Sequence, residues 1–64
     1  MNEYVITYAS GTGYCEYAGL STWTKPTQGV GVGSFLLEVD TGDVYAFAGE
    51  DEATPWVFQL SLQG

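Results

Sequence analysis

The sequence predicts an all-β domain, a small antiparallel meander or half-barrel of about five strands with one long irregular arm. Three observations predict it. Apolar and polar residues alternate with period two in several short segments. Turn-forming glycine, aspartate and proline residues separate those segments. No stretch combines helical spacing with helix start and stop signals.

Residues 1–18 read as a first hairpin. Tyr4, Ile6 and Tyr8 share one face of its first strand, while Glu3, Val5 and Thr7 face the other way. Ser10-Gly11-Thr12-Gly13 is turn chemistry, and Tyr14-Cys15-Glu16-Tyr17 returns as a strand. Residues 19–33 have no sustained period and contain Pro26, with Lys25 held extended before it. This segment reads as an arm running over the surface, and a connection that long often interacts with something.

Residues 34–64 read as a second hairpin plus a last strand. Phe35, Leu37 and Val39 point one way, and Leu36, Glu38 and Asp40 the other. Asp40-Thr41-Gly42-Asp43 forms a tight turn in which Gly42 supplies the positive φ. In the returning strand Tyr45 and Phe47 oppose the smaller Val44, Ala46 and Ala48. After the acidic loop Glu50-Asp51-Glu52, a last strand sets Trp56, Phe58, Leu60 and Leu62 against Val57, Gln59 and Ser61.

A chain of 64 residues allows one domain with a marginal core, since a domain of this size buries only about 60% of its unfolded surface. The usual remedies are disulfides, a structural metal or oligomerisation. Cys15 is the only cysteine and there is no histidine, so no bridge within the chain and no zinc cluster is expected. By elimination the missing burial comes from other chains. Ten aromatics are many for so small a core, and aromatic side chains left outside mark binding surfaces.

Eight carboxylates against Lys25 alone give a net charge of −7. Such a surface repels phosphate backbones and anionic lipid heads, which excludes nucleic-acid binding through a basic footprint and argues against membrane binding. It also steers the chain toward basic protein patches. No segment approaches the ~20 apolar residues of a membrane helix, and no signal peptide is read. The single unpaired cysteine fits synthesis in a reducing cytoplasm.

Motifs for chemistry are weak. Gly29-Val30-Gly31-Val32-Gly33 lacks the strand-to-helix context and spacing of a phosphate loop, so no cofactor is expected. Asp40, Asp43 and the acidic run lack the spacing of a calcium loop and read as turn formers and solvated charge. Cys15 has no histidine to activate it, and so short a chain has little room for the cleft that a carboxylate pair needs. An enzyme is not expected. Trp23 has two readings: a cap folded back over the sheet, or an anchor in a partner's pocket.

The segment from Tyr17 to Trp56 resembles a short β-hairpin module of tailed-bacteriophage virion accessory proteins. The residues that carry the resemblance begin with Gly19-Leu20-Ser21-Thr22 and Thr24-Lys25-Pro26-Thr27, followed by Gly33-Ser34-Phe35. Glu38-Val39-Asp40-Thr41-Gly42-Asp43-Val44-Tyr45, Phe47 and Trp56 complete the set. Two departures stand out: Trp23 where an aspartate is common, and residues 50–55 in place of a short glycine turn.

The resemblance implies a virion structural protein that packs or trimerises on the particle, with a capsid decoration (cement) role foremost. It would bind the major capsid protein or another virion protein, as a homo-oligomer with a trimer favoured, after synthesis in the bacterial host cytoplasm. On that reading Trp23, Lys25 and Pro26 of the arm would touch the partner. Tyr4, Tyr8, Trp56 and Phe58 would supply further core or intersubunit contacts. The alternatives are a tail or head–tail accessory protein, and an acidic DNA mimic that inhibits a host defence nuclease.

Overall fold

The structure, a computed structural model, describes residues 3–63. It is all-β, and among the described residues there is no helix. Five strands form one sheet: β1 (Val5–Ala9), β2 (Cys15–Gly19), β3 (Phe35–Glu38), β4 (Asp43–Phe47) and β5 (Trp56–Ser61). Their spatial order is their chain order. β-Branched and aromatic residues, concentrated in β1, β4 and β5, suit this pleated surface.

One pairing departs from the antiparallel meander expected above. β1–β2, β3–β4 and β4–β5 are antiparallel, but β2 and β3 run parallel. Parallel neighbours cannot be joined by a tight turn and need a crossover of a dozen or more residues. Residues 20–34 are that crossover, so the aperiodic arm is what makes the sheet mixed. The β3–β4 turn is as expected: Gly42 has φ 80° and its N–H donates to the Glu38 carbonyl at 2.7 Å.

Two bulges change which residues share a face. In β1, Ile6 pairs with Tyr17 but Tyr8 pairs with Glu16, so Thr7 is the extra residue and Tyr8 flips away from Ile6. In β5, Phe58 pairs with Tyr45 but Leu60 pairs with Val44, so Leu60 flips away from Trp56 and Phe58. Simple alternation put Tyr4, Ile6 and Tyr8 together, and likewise Trp56, Phe58, Leu60 and Leu62. Each bulge divides its set.

The core lies on the arm side of the sheet. Leu36 at its centre is 0% exposed, with Tyr4, Cys15, Tyr17, Phe47 and Trp56 buried around it. The Trp56 ring lies 4.9 Å from Phe47 and meets Tyr17 edge-on at 6.1 Å, the tilted and T-shaped contacts that aromatic quadrupoles favour. Trp23, Val30 and Tyr45 pack against this cluster from its margin.

The arm is laced down along its length. Ser21 donates to the Asp40 carboxylate through both N–H (3.0 Å) and hydroxyl (2.6 Å). Trp56 Nε1 donates to the Pro26 carbonyl at 2.7 Å, and Gly31 N–H donates to the Gly13 carbonyl at 2.9 Å. A Cβ on Gly31 would stand 2.7 Å from that carbonyl oxygen; close backbone approach is thus one use of the glycine run. Fully buried Ser34 closes the arm, its hydroxyl donating to the Gly31 carbonyl (2.6 Å) and accepting from Cys15 N–H (3.0 Å).

Candidate functional site

The arm covers one face of the sheet and leaves the other bare. The strand registers define what lies on the bare face. One row runs across all five strands as Val5, Ala18, Leu37, Val44 and Leu60. The next runs as Tyr8, Glu16, Phe35, Ala46 and Val57. In these ten positions only Glu16 is charged, and its carboxylate accepts a bond from the Tyr14 hydroxyl at 2.8 Å. Val5, Tyr8, Phe35 (46%), Val57 and Leu60 (49%) are all exposed.

The size of this patch decides its meaning. Five strands about 4.8 Å apart, with about five residues at 3.3 Å each, make a face of about 24 by 17 Å, near 400 Å² before side-chain relief. Soluble monomers rarely leave a contiguous apolar area larger than a few hundred Å² in water, and a patch at that limit is often an interaction site. The acidic run Glu50-Asp51-Glu52 lies in the β4–β5 loop, at one end of the strands.

The other face is held shut by an ion pair that the sequence reading did not foresee. Glu38, 4% exposed, extends from β3 under the arm. Its Oε2 accepts from Lys25 Nζ at 2.7 Å and its Oε1 from the Thr41 hydroxyl at 2.8 Å. Lys25 Nζ also stands 4.9 Å from the Tyr45 ring centre and 5.7 Å from that of Tyr4, within cation–π range. Burial pulls the Lys25 pKa down, but its bonds and charge contacts with Glu38 and Tyr4 outweigh this and raise it above 10.5. Burial raises the hydroxyls of Tyr4 and Tyr17 above 10.0.

The residues nominated from the sequence divide accordingly. Tyr4 and Trp56 are buried in the core. Trp23 is half-buried and meets Tyr4 edge-on at 6.0 Å, which is the capping arrangement. Both rings lie over Gly19, where a Cβ would come within 2.6 Å of Tyr4 and 2.8 Å of Trp23. Lys25 is occupied by Glu38, and the Pro26 carbonyl by Trp56. Tyr8 and Phe58 remain exposed, on opposite faces: Tyr8 on the bare side, and Phe58 beside Tyr45 at the margin of the covered side.

Val5, Phe35, Leu37, Val57 and Leu60 were missed as a site. The available signal was that both alternating sets in several strands are apolar, so that the arm can cover only one of them.

Among the described residues no group of three or more His, Cys, Asp or Glu side chains is placed to hold a metal ion. Cys15 is buried, its thiol directed at the Gly13 carbonyl at 3.5 Å. An open depression of ≈ 450 Å³ is lined by Glu3, Tyr4, Thr24, Lys25 and Pro26, and its one cation is already paired.

Fold and surface together define a small mixed β-sheet protein with one arm-covered face and one bare apolar face. Comparison with protein-family models, curated proteins and solved structures finds no match.

Proposed function

We propose that this chain is a non-catalytic structural protein of a tailed-phage particle, in the first instance a capsid decoration (cement) protein. The observation that carries the interaction role is the bare face, with exposed Val5, Tyr8, Phe35, Val57 and Leu60. The virion assignment rests on the resemblance of Tyr17–Trp56 to the phage module. Its partner would be the major capsid protein or another virion protein, and the chain would act as a homo-oligomer. A sheet curled toward a half-barrel around its aromatic filling would present this face outermost.

The mechanism is linkage. A protein that binds the assembled lattice, and not its separated subunits, stabilises the lattice by mass action. The apolar face supplies the contact area, and the acidic loop Glu50-Asp51-Glu52 at the strand ends favours a basic rim on the partner. Trp23, Lys25 and Pro26 serve indirectly, by holding the arm on the opposite face, instead of reaching across to a neighbour. A tail or head–tail accessory role uses the same surface and is the second reading. A DNA mimic finds no support, because Glu38 is buried, Asp40 is bonded to Ser21, and Glu50–Glu52 form one loop.

The test is mass spectrometry of purified particles, with copy number measured against the major coat protein, followed by heating of particles that lack this chain. The expected result is many copies per particle, and release of DNA at a lower temperature without them. Absence from particles contradicts the virion assignment. Presence with unchanged heat stability contradicts the cement role, and labelling of head or tail then locates the chain.

A further inference from the structure

Glu16 is the one charge in the two rows of the bare face, and no basic side chain of this protein is placed to neutralise it. The sequence holds a single basic side chain, Lys25, and Glu38 binds it on the opposite face. A partner that covers the bare face therefore encloses a carboxylate along with the apolar side chains. Unless that partner brings a cation, the carboxylate is left as an uncompensated buried charge, which works against the apolar contact around it.

The surroundings of Glu16 are aromatic. Tyr8 of β1 and Phe35 of β3 flank it in its row. Tyr14, two residues earlier, donates its hydroxyl to Glu16 Oε2 at 2.8 Å. The Tyr8 and Tyr14 rings lie 6.2 Å apart at 59°, two walls set at an angle. The bond to Glu16 raises the Tyr14 hydroxyl above its ordinary 10.0, which keeps it protonated and donating at neutral pH. Among the described residues nothing donates to Oε1, and the Tyr14 oxygen can itself still accept a bond.

The opposite face shows what such a set of groups does in this protein. Glu38 takes the Thr41 hydroxyl on one oxygen and Lys25 Nζ on the other. The Tyr4 and Tyr45 ring centres stand 5.7 and 4.9 Å from that nitrogen. Both places combine a carboxylate, a hydroxyl bonded to one of its oxygens, and two tyrosine rings.

We propose that Glu16, Tyr8 and Tyr14 form a receiving site for an arginine side chain of the partner protein that covers the bare face. The inference deepens the interaction reading above and rests on it, since it names the partner's chemistry at that surface. Arginine suits the site better than lysine. Its planar guanidinium can stack on the Tyr8 ring while its forked N–H groups reach two acceptors, Glu16 Oε1 and the Tyr14 oxygen. It is also more weakly hydrated than an ammonium, so it enters an apolar face more readily.

The experiment titrates the isotope-labelled full chain with acetyl-Leu-Arg-Leu-amide, followed by NMR, alongside the same peptide with citrulline or lysine in place of arginine. The expected result is saturable shifts centred on Tyr8, Tyr14 and Glu16, with a dissociation constant on the order of 1 mM. Citrulline keeps the shape and removes the charge, and should bind about tenfold more weakly; lysine should bind about threefold more weakly. Glu16→Gln should weaken the arginine peptide about tenfold. Glu52→Gln removes the same single charge from the β4–β5 loop and should leave the affinity unchanged. Circular dichroism checks that both variants are folded.

Shifts centred elsewhere, no saturation up to about 20 mM, equal affinity for the citrulline or lysine peptide, or equal losses in the two variants would overturn the proposal. A chain abundant on particles whose titration fails loses the arginine site and keeps the virion reading. A chain that binds the peptide as described but is absent from particles keeps the site and loses the virion reading.

Discussion

Replacing Trp56 with alanine is expected to unfold the domain at room temperature, because truncating a buried tryptophan costs about 3–5 kcal/mol. A domain this small rarely has more than about 3–5 kcal/mol to lose. Trp56 joins three parts of the fold: it packs on Phe47 from β4, meets Tyr17 from β2, and donates to Pro26 in the arm. Trp56→Phe separates the contributions. It keeps most of the ring packing and leaves the Pro26 carbonyl without its donor, a cost of about 1–3 kcal/mol. Urea melts followed by circular dichroism distinguish the two, and an alanine variant with an unshifted midpoint would contradict this account of the core.

The second large effect is at the Lys25–Glu38 pair, and it should be asymmetric. Lys25→Met leaves Glu38, with its side chain 5% exposed, as an uncompensated buried charge and should cost about 3 kcal/mol. Glu38→Leu leaves Lys25, 24% exposed, which can turn toward water, so the loss should be about 1 kcal/mol. The double variant should recover most of the Lys25→Met loss, since replacing both members of a buried pair with apolar groups is often neutral. Equal losses in the two single variants would mean that the pair is not buried as described.

The same pair sets the alkaline limit of the fold. Lys25, Tyr4 and Tyr17 all have folded pKa values above their ordinary ones. The folded state therefore holds protons that the unfolded state has begun to release, and stability falls as pH rises. On the alkaline side, the contribution of these groups should be level from neutral pH to 10.0 and decline as pH passes 10.0 to 10.5. The decline should be shallower in the double variant, which lacks the lysine's share.

Much of the fold was legible in the sequence, and the failures have specific physical causes. Alternation found all five strands, and the Asp40–Asp43 turn formed as its chemistry requires. Strand direction across the arm was not legible, because periodicity records which face a residue occupies and says nothing of which way the strand runs. The bulges at Thr7 and Gln59 were also hidden. Neither residue is a glycine or proline that would advertise an irregularity, and each moves the following apolar residue to the other face.

The site suffered most from this. Tyr8 and Phe58 were found, but the surface that joins Tyr8 to Phe35, Val57 and Leu60 exists only once the bulges and the parallel pairing are in place. Lys25 has a partner within the chain that alternation does not reveal. A lone cation in an acidic chain invites an external partner, yet residues 20–34 bring it down on Glu38, thirteen positions along the chain.

The arm covers the centre of one sheet face, over Tyr17, Leu36, Phe47 and Trp56, and the other face stands in water. Hydroxyl-radical footprinting of the dilute chain, read by mass spectrometry at side-chain level, tests it most directly. Tyr8 and Phe35 should oxidise readily, while Tyr17, Phe47 and Trp56 stay protected. Tyr8 and Phe35 as well shielded as Phe47, or Trp56 as reactive as Tyr8, would contradict it.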